Sequence, residues 1–158
     1  MFFYLAKQGS DICTIIQNAT IMQTVLTYLT LLLTGMLLHA QNTIEVSMTG
    51  FDSDQGVVKL GLYDDEGSFL DSTEKSISSK ITNKKANVTF TDVPDGIYAI
   101  SCYHDEDDNG ELNMILGFYP KEAYGTSNNA AARFGPPKWE DAKFEIKNGE
   151  IATFDIQL

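Results

Sequence analysis

Short runs of alternating apolar and polar residues, bounded by turn-forming residues, constrain the fold of this chain most strongly, and the first of them begins at residue 43. Alternation with a period of two puts successive side chains on opposite faces of a β-strand. Gly, Asn, Asp and Pro separate the runs, and Val93-Pro94-Asp95-Gly96 is typical of a tight turn. The pattern predicts seven strands, at residues 43–48, 57–63, 76–81, 86–90, 97–103, 142–146 and 151–156.

Short strands without a long helical period fit an all-β domain in which two sheets pack face to face. We therefore predict a seven-stranded antiparallel sandwich that occupies residues 41–158 as a single domain. Asn148-Gly149 is a hairpin signal and would join the last two strands. The most polar run, residues 76–81, is predicted to lie at a sheet edge.

Residues 104–141 do not follow the strand pattern and are rich in Gly, Asn and Pro. A segment of this length without secondary structure is uncommon in a compact domain and is usually functional or disordered. Its aromatic residues argue against disorder. We predict one long ordered loop that packs over one end of the sandwich. The aromatic residues are Phe118, Tyr119, Tyr124, Phe134 and Trp139.

An uncharged, largely apolar segment at residues 21–40 precedes the predicted domain. Its short dense core and its ending, Leu38-His39-Ala40, are typical of a cleaved signal peptide at residues 22–40, and an uncleaved anchor is the alternative. Lys7 is the only cation upstream, so residues 1–21 are either a weak n-region or an extension before a true start at Met22. The sequence predicts export to the periplasm, the cell surface or the medium, with no membrane span after cleavage.

The charge balance is strongly acidic, because 22 Asp and Glu residues against 11 Lys and Arg residues give a net charge of −11. Loss of Asp11 and Lys7 with the leader would leave that net charge unchanged. It disfavours nucleic acid and anionic lipid as partners and favours cations or basic partners. Cys102 is the only Cys after the leader, so we expect no internal disulfide and a buried core thiol.

Residues 105–113 carry oxygen-bearing side chains at alternate positions and a glycine, Gly110, at the sixth position. This spacing matches the first nine positions of an EF-hand calcium loop, in which a sharp turn aims alternate oxygens at the ion. Calcium prefers several hard oxygen ligands, including a backbone carbonyl at the seventh position. The predicted calcium ligands are Asp105, Asp107, Asn109, the carbonyl of Glu111, and Asn113.

The same segment departs from an EF-hand in two ways. Its twelfth position is Leu116, so the bidentate Glu is missing, and its flanks are predicted to be a strand and a loop rather than helices. The motif therefore predicts a calcium loop on a β scaffold and excludes a true EF-hand. An acidic turn without metal and a site for another metal are the alternatives. After the predicted leader the chain has one His and one core Cys, which makes zinc a poor fit.

A second group of polar and aromatic residues could form a ligand pocket, because such groups line sugar and peptide sites. The alternative is a structural role, in which these side chains hydrogen-bond to the backbone N–H and C=O groups of the loop. His104 could act as a base for Ser68, Ser101 or Ser127, but the chain has no Gly-x-Ser-x-Gly elbow, so no catalytic residue is assigned. Arg133 could also be an internal counter-ion for the acidic loop. The predicted pocket residues are His104, Tyr124, Ser127, Asn128, Asn129 and Arg133.

Several contiguous motifs resemble those of domain-of-unknown-function family 2141, and the resemblance extends over residues 44–158. It implies an exported bacterial β-domain without an established activity. The strand after Val93-Pro94 also looks like transthyretin-like and carboxypeptidase-regulatory sandwiches, which specifies the expected fold as immunoglobulin-like or transthyretin-like. The motifs are Gly96-Ile97-Tyr98-Ala99-Ile100, His104-Asp105, Asp107-x-Asn109-Gly110-x-Leu112-Asn113, Leu116-Gly117, Pro120-Lys121-Glu122, Tyr124-Gly125-x-Ser127-Asn128-Asn129, Phe134-Gly135-Pro136-Pro137 and Trp139-Glu140-Asp141-Ala142.

The sequence as a whole predicts an exported, calcium-binding β-sandwich module with a binding or structural role in the cell envelope or outside the cell. Its partner would be an envelope or extracellular ligand. Two other functions stay open. One is a hydrolase or lyase that acts on an envelope polymer, with His104, Tyr124, Ser127 and Arg133 facing one pocket, and an enzyme is the less favoured class. The other is a protein-interaction domain without metal.

Overall fold

The computed structural model describes residues 19–32, 41–117, 119–132 and 135–158. The chain divides into two compact units, Met1–His39 and Ala40–Leu158. In the first unit, residues 19–32 form helix α1, in which Thr24 Oγ1 donates to the carbonyl of Thr20 at 2.7 Å. The described helices include none that is long and apolar enough to span a membrane. The leader predicted at residues 22–40 lies partly outside the described residues, so cleavage and export stay predictions.

The second unit is mostly β-sheet. Two strands pair into a small separate sheet, and the others form two larger sheets with the orders β10-β1-β4 and β3-β2-β5-β8, with β9 also paired to β5. One 3-10 turn, Ser127–Asn129, and one short helix, α2 (Trp139–Ala142), interrupt them. The strands are β1 (Asn42–Thr49), β2 (Val57–Tyr63), β3 (Lys75–Lys80), β4 (Lys85–Val93), β5 (Gly96–Asp105), β6 (Met114–Ile115), β7 (Tyr119–Pro120), β8 (Tyr124–Thr126), β9 (Phe144–Ile146) and β10 (Ile151–Gln157).

The prediction of seven strands was wrong, because the described part of the second unit contains ten. The three additional strands, β6, β7 and β8, all lie in the segment 104–141, which we had expected to be one long loop. Each has two or three residues, which is too short for alternation to appear in the sequence. The prediction that the segment is ordered is confirmed for the residues that the structure describes.

The prediction of a fully antiparallel architecture was also wrong. The last strand, β10, runs parallel to β1, with Thr43 opposite Ile151 and Thr49 opposite Gln157. Strand β9 pairs with β5 instead of β10, so the Asn148-Gly149 turn carries the chain from one larger sheet to the other and closes no hairpin ladder. Alternation has the same period in parallel and antiparallel strands, so it does not report the partner.

Both larger sheets contribute side chains to one hydrophobic core, including Ile44 and Phe90 from one sheet and Leu60 and Ile100 from the other. Full burial of an apolar side chain of this size contributes about 1.5–3 kcal/mol each. Cys102 belongs to this core and is 2% exposed, as predicted. Burial raises the pKa of its thiol to about 12, so it stays protonated and unreactive at neutral pH.

Strand β5 positions the segment of functional interest. It is the longest strand described, it lies between β2 and β8, and it ends at Asp105. At that end Val57, the first residue of β2, pairs with Asp105. The predicted edge strand is confirmed as β3, which is the outermost strand of its sheet. The acidic residues 105–113 therefore leave the sheet from the end of an interior strand.

Candidate metal centre

Asp105 is the fixed point of the acidic loop. Its side chain is fully buried, and its two carboxylate oxygens accept backbone N–H groups of the same loop. Oδ1 accepts from Asn109 at 3.0 Å and Oδ2 accepts from Gly110 at 2.9 Å. The turn is tight because Gly110 has a φ of +87°, which glycine adopts readily. The loop is thus folded around one carboxylate at the strand end.

Three carboxylates converge at this point. One oxygen each of Asp105, Asp107 and Glu122 lie within 4.8 Å of one another. Glu122 is 7% exposed, and its oxygens accept the N–H of Glu106 at 3.2 Å and of Asn113 at 2.8 Å. Glu122 thereby ties both ends of the loop together. Hard oxygen ligands of this kind suit calcium or magnesium.

Sequence reasoning missed Glu122. It follows β7 and lies outside the nine-residue motif, so no spacing rule connects it to Asp105. Its place in the Pro120-Lys121-Glu122 run was the only signal in the sequence. The β6–β7 hairpin returns the chain to the loop, where Lys121 N–H donates to the carbonyl of Asn113 at 2.8 Å.

The two asparagines of the motif lie beside Asp107. Asn113 Nδ2 donates to Asp107 Oδ2 at 3.0 Å, and Asn109 Nδ2 donates to Asn113 Oδ1 at 2.9 Å. Asn109 Oδ1 accepts the N–H of Glu111 at 2.7 Å, and Glu111 itself is exposed. A 180° flip of an Asn side-chain amide exchanges the positions of its oxygen and its nitrogen, so either amide can also offer an oxygen. The amides of Asn109 and Asn113 thus form a hydrogen-bonded chain that ends on Asp107, while the ligand roles of Asn109, Asn113 and the Glu111 carbonyl stay predictions.

Lys59 pairs with the buried carboxylate of this cluster. Its Nζ lies 3.6 Å from Asp105 Oδ2, and it is the one Lys or Arg of the described segments within 4.0 Å of any of the three carboxylates. Tyr103, its cross-strand neighbour, donates its hydroxyl to the carbonyl of Gly110 at 2.9 Å. Burial raises the pKa of Tyr103, and the negative charges of Asp105 and Glu122 raise it further.

His104 is buried behind the loop and has a structural role there. Its Nε2 lies 2.7 Å from the carbonyl of Gln55, and its ring meets Phe51 edge-on at a centroid distance of 5.3 Å. Nε2 must carry a proton to donate to that carbonyl, and Nδ1 has no hydrogen-bond partner among the described residues and lies 3.6 Å from Glu106 Oε1. His104 thus fixes residues 50–56 against the end of β5.

Ser127 is buried and fully engaged with the backbone. Its Oγ accepts the N–H of Ile100 at 2.9 Å and donates to the carbonyl of Ala142 at 2.6 Å. Ile100 lies four residues before His104 on β5, so about 13 Å along the strand separates Ile100, the partner of Ser127, from His104. A base has to be within hydrogen-bond reach of its nucleophile. The structure therefore does not bring His104 and Ser127 together.

The side chains of Asn128 and Asn129 also hydrogen-bond to the backbone. Asn128 Nδ2 contacts the carbonyls of residues 141–143 at 3.1–3.3 Å. The Asn129 amide binds the outer edge of β10, where Nδ2 donates to Asp155 and Oδ1 accepts from Gln157, both at 2.9 Å. Tyr124 and Asn129 line one cleft of about 170 Å³, whereas Asn128 lines a neighbouring one. Arg133, the predicted counter-ion, lies outside the described residues.

Comparison with known proteins gives one finding. The model of the family described as "Uncharacterized protein conserved in bacteria (DUF2141)" matches residues 46–153. The match runs from within β1 to the first residues of β10, and it includes every residue of the candidate metal centre. No curated protein and no solved structure matches the chain.

Proposed function

The chain belongs to the DUF2141 family of proteins conserved in bacteria, and from that premise we propose that it is an exported, calcium-stabilised module with a binding or structural role in the cell envelope or outside the cell. Its fold in this proposal is an immunoglobulin-like or transthyretin-like sandwich. The shared core of the two larger sheets supports that assignment.

The convergence of Asp105, Asp107 and Glu122 carries the calcium proposal. Two like unit charges 4 Å apart repel by about 4 kcal/mol at an effective dielectric constant of about 20. Three carboxylates with oxygens within 4.8 Å of one another repel in this way when all carry charge, and the ammonium group of Lys59 offsets part of that charge. A divalent cation bound by all three would turn the repulsion into attraction.

The donor set favours calcium over other cations. Zinc prefers nitrogen and sulfur ligands, but His104 Nε2 is engaged with Gln55 and Cys102 is buried in the core. Magnesium requires a small octahedral site, whereas calcium accepts six to eight oxygens in irregular geometry. Glu122 would take the role that Leu116 cannot fill at the twelfth position. The full proposed set is Asp105, Asp107, Asn109, the Glu111 carbonyl, Asn113 and Glu122.

A calcium ion held in this way would stabilise the segment that follows the loop. Glu122 and Asn113 bracket the β6–β7 hairpin and are already joined by a hydrogen bond of 2.8 Å. The predicted export is consistent with the same proposal, because extracellular calcium modules function with dissociation constants of about 10⁻⁴–10⁻³ M. A loop without the twelfth-position Glu would suit a compartment rich in calcium.

The two alternative functions differ in their support. A hydrolase or lyase needs a base near its nucleophile, but Ser127 Oγ hydrogen-bonds Ile100, which lies about 13 Å along β5 from His104. A metal-free interaction domain is consistent with the hydrogen bonds that Asp105 receives from its own loop. Calcium titration separates this second alternative from our proposal.

Calorimetric titration of the protein with calcium should give a dissociation constant of about 10⁻⁴–10⁻³ M. Glu122→Gln removes one ligand charge and should weaken binding by tenfold or more, which is about 1.4 kcal/mol. Glu150→Gln is the matched control, because Glu150 is exposed and uses only its backbone in hydrogen bonds. A wild-type protein that binds no calcium would establish the metal-free alternative.

A further inference from the structure

Lys59 reaches the candidate metal centre from outside the acidic loop. It lies in β2 opposite Tyr103 of β5, so both side chains project from the same face of the sheet toward the loop. Its Nζ lies 3.6 Å from Asp105 Oδ2 and 3.5 Å from the point where a Cβ on Gly110 would stand. The ammonium group is therefore placed over the turn that holds Asp105.

The two charges of this pair are in unequal surroundings. The Asp105 side chain is fully buried, whereas the Lys59 side chain is 31% exposed. A buried carboxylate that loses its countercharge is costly, because its desolvation is no longer compensated. The exposed lysine can swing into water at little cost, because its stem is flexible and its ammonium group is well hydrated.

We propose that Lys59 is a tethered counter-ion that competes with calcium for Asp105 and so lowers the calcium affinity of the site. This inference rests on the proposed function, because it assigns a regulator to the same centre. A cation that shares Asp105 with the ammonium group is repelled by it at close range. Calcium therefore binds only as Lys59 leaves the carboxylate, and the lysine sets the concentration at which the loop is loaded.

This role predicts opposite effects of replacing Lys59: lower stability in chelator and higher affinity for calcium. In chelator, Lys59→Met leaves Asp105 without its countercharge and should lower the midpoint of urea unfolding. In a calcium titration, the same substitution removes a competitor and should tighten binding roughly tenfold. A lysine with a merely structural role would weaken both stability and binding when it is replaced.

Three variants make the test specific. Lys59→Met and Lys59→Gln both remove the charge, and the Gln side chain retains a donor for Asp105, so at least one of them should be recovered as a folded protein. Lys147→Met is the matched control, because Lys147 pairs with Glu145 on β9 beside the opposite end of β5. That end lies about 26 Å along the strand from Asp105, well beyond the Debye length of about 8 Å.

Tighter calcium binding in both Lys59 variants, with an unchanged constant in Lys147→Met, is the expected result. Equal or weaker binding in the Lys59 variants, while the wild type binds calcium and Glu122→Gln loses it, would overturn the role of Lys59 and leave the proposed function intact. Failure of every form to bind calcium would overturn both proposals together. Lower stability in chelator without tighter binding would assign Lys59 a structural role alone.

Discussion

Asp105→Asn should lower the free energy of unfolding by about 2–4 kcal/mol, because it places an amide nitrogen against a backbone N–H in a buried site. The carboxylate accepts from both Asn109 and Gly110, and an Asn oxygen can replace only one of its two oxygens. The substitution should also abolish stabilisation by calcium, because it removes the ligand at the first position of the loop. Urea unfolding with calcium and with chelator measures both effects.

Asp108→Asn is the control for this prediction, since it removes the same charge from the same loop. Asp108 is exposed, its carboxylate takes no part in the hydrogen bonds of the described structure, and its φ of +53° is one that Asn tolerates well. The free energy of unfolding of the Asp108→Asn variant should differ from that of the wild type by less than about 0.5 kcal/mol. Equal effects of the two substitutions would show that net charge, rather than the geometry around Asp105, determines the stability of the loop.

Gly56→Ala should destabilise the protein by about 3 kcal/mol or more, because the new Cβ has no room. It would overlap the carbonyl oxygen of Asp105 and lie 2.9 Å from the carbonyl carbon of Glu106. Both contacts are with backbone, which cannot rotate away. The φ of Gly56 is +71°, so alanine is strained there as well. Thermal or urea unfolding of the variant measures the loss.

Gly117→Ala separates the clash from the backbone strain. Gly117 has a similar φ of +77°, but a Cβ added there would meet nothing within 4 Å. It should therefore cost only the strain of a left-handed alanine, about 1–2 kcal/mol. A Gly56→Ala loss no larger than that of Gly117→Ala would mean that residues 50–56 do not pack tightly against the first residues of the acidic loop.

The strands of the second unit could largely be predicted from alternation. The run at 43–48 lies within β1, whose fully buried residues alternate with more exposed ones, and the run at 57–63 coincides with β2, whose last four residues are all buried. The partner of β10 could not be predicted, since a parallel and an antiparallel strand have the same periodicity. The sheet crossing at Asn148-Gly149 was missed for a related reason, because a hairpin-type turn can also join strands of different sheets.

The candidate site was predicted only in its local part. The spacing of Asp105 and Asp107 follows from the turn itself, and the structure places these two carboxylates together. Glu122 and Lys59 reach the site through a hairpin and through the register of β2 on β5, which are tertiary features. The grouping of His104 with Ser127 relied on composition, and Ser127 instead hydrogen-bonds Ile100, which lies four residues before His104 on β5.

The most direct test of the central claim, that calcium binds at Asp105, Asp107 and Glu122, is the thermal unfolding midpoint of the protein in calcium and in chelator. A ligand bound only to the native state at about 100 times its dissociation constant stabilises that state by about 2.7 kcal/mol. For a domain of this size the midpoint should therefore rise by roughly 10 °C. A midpoint that is the same in calcium and in chelator would contradict the account.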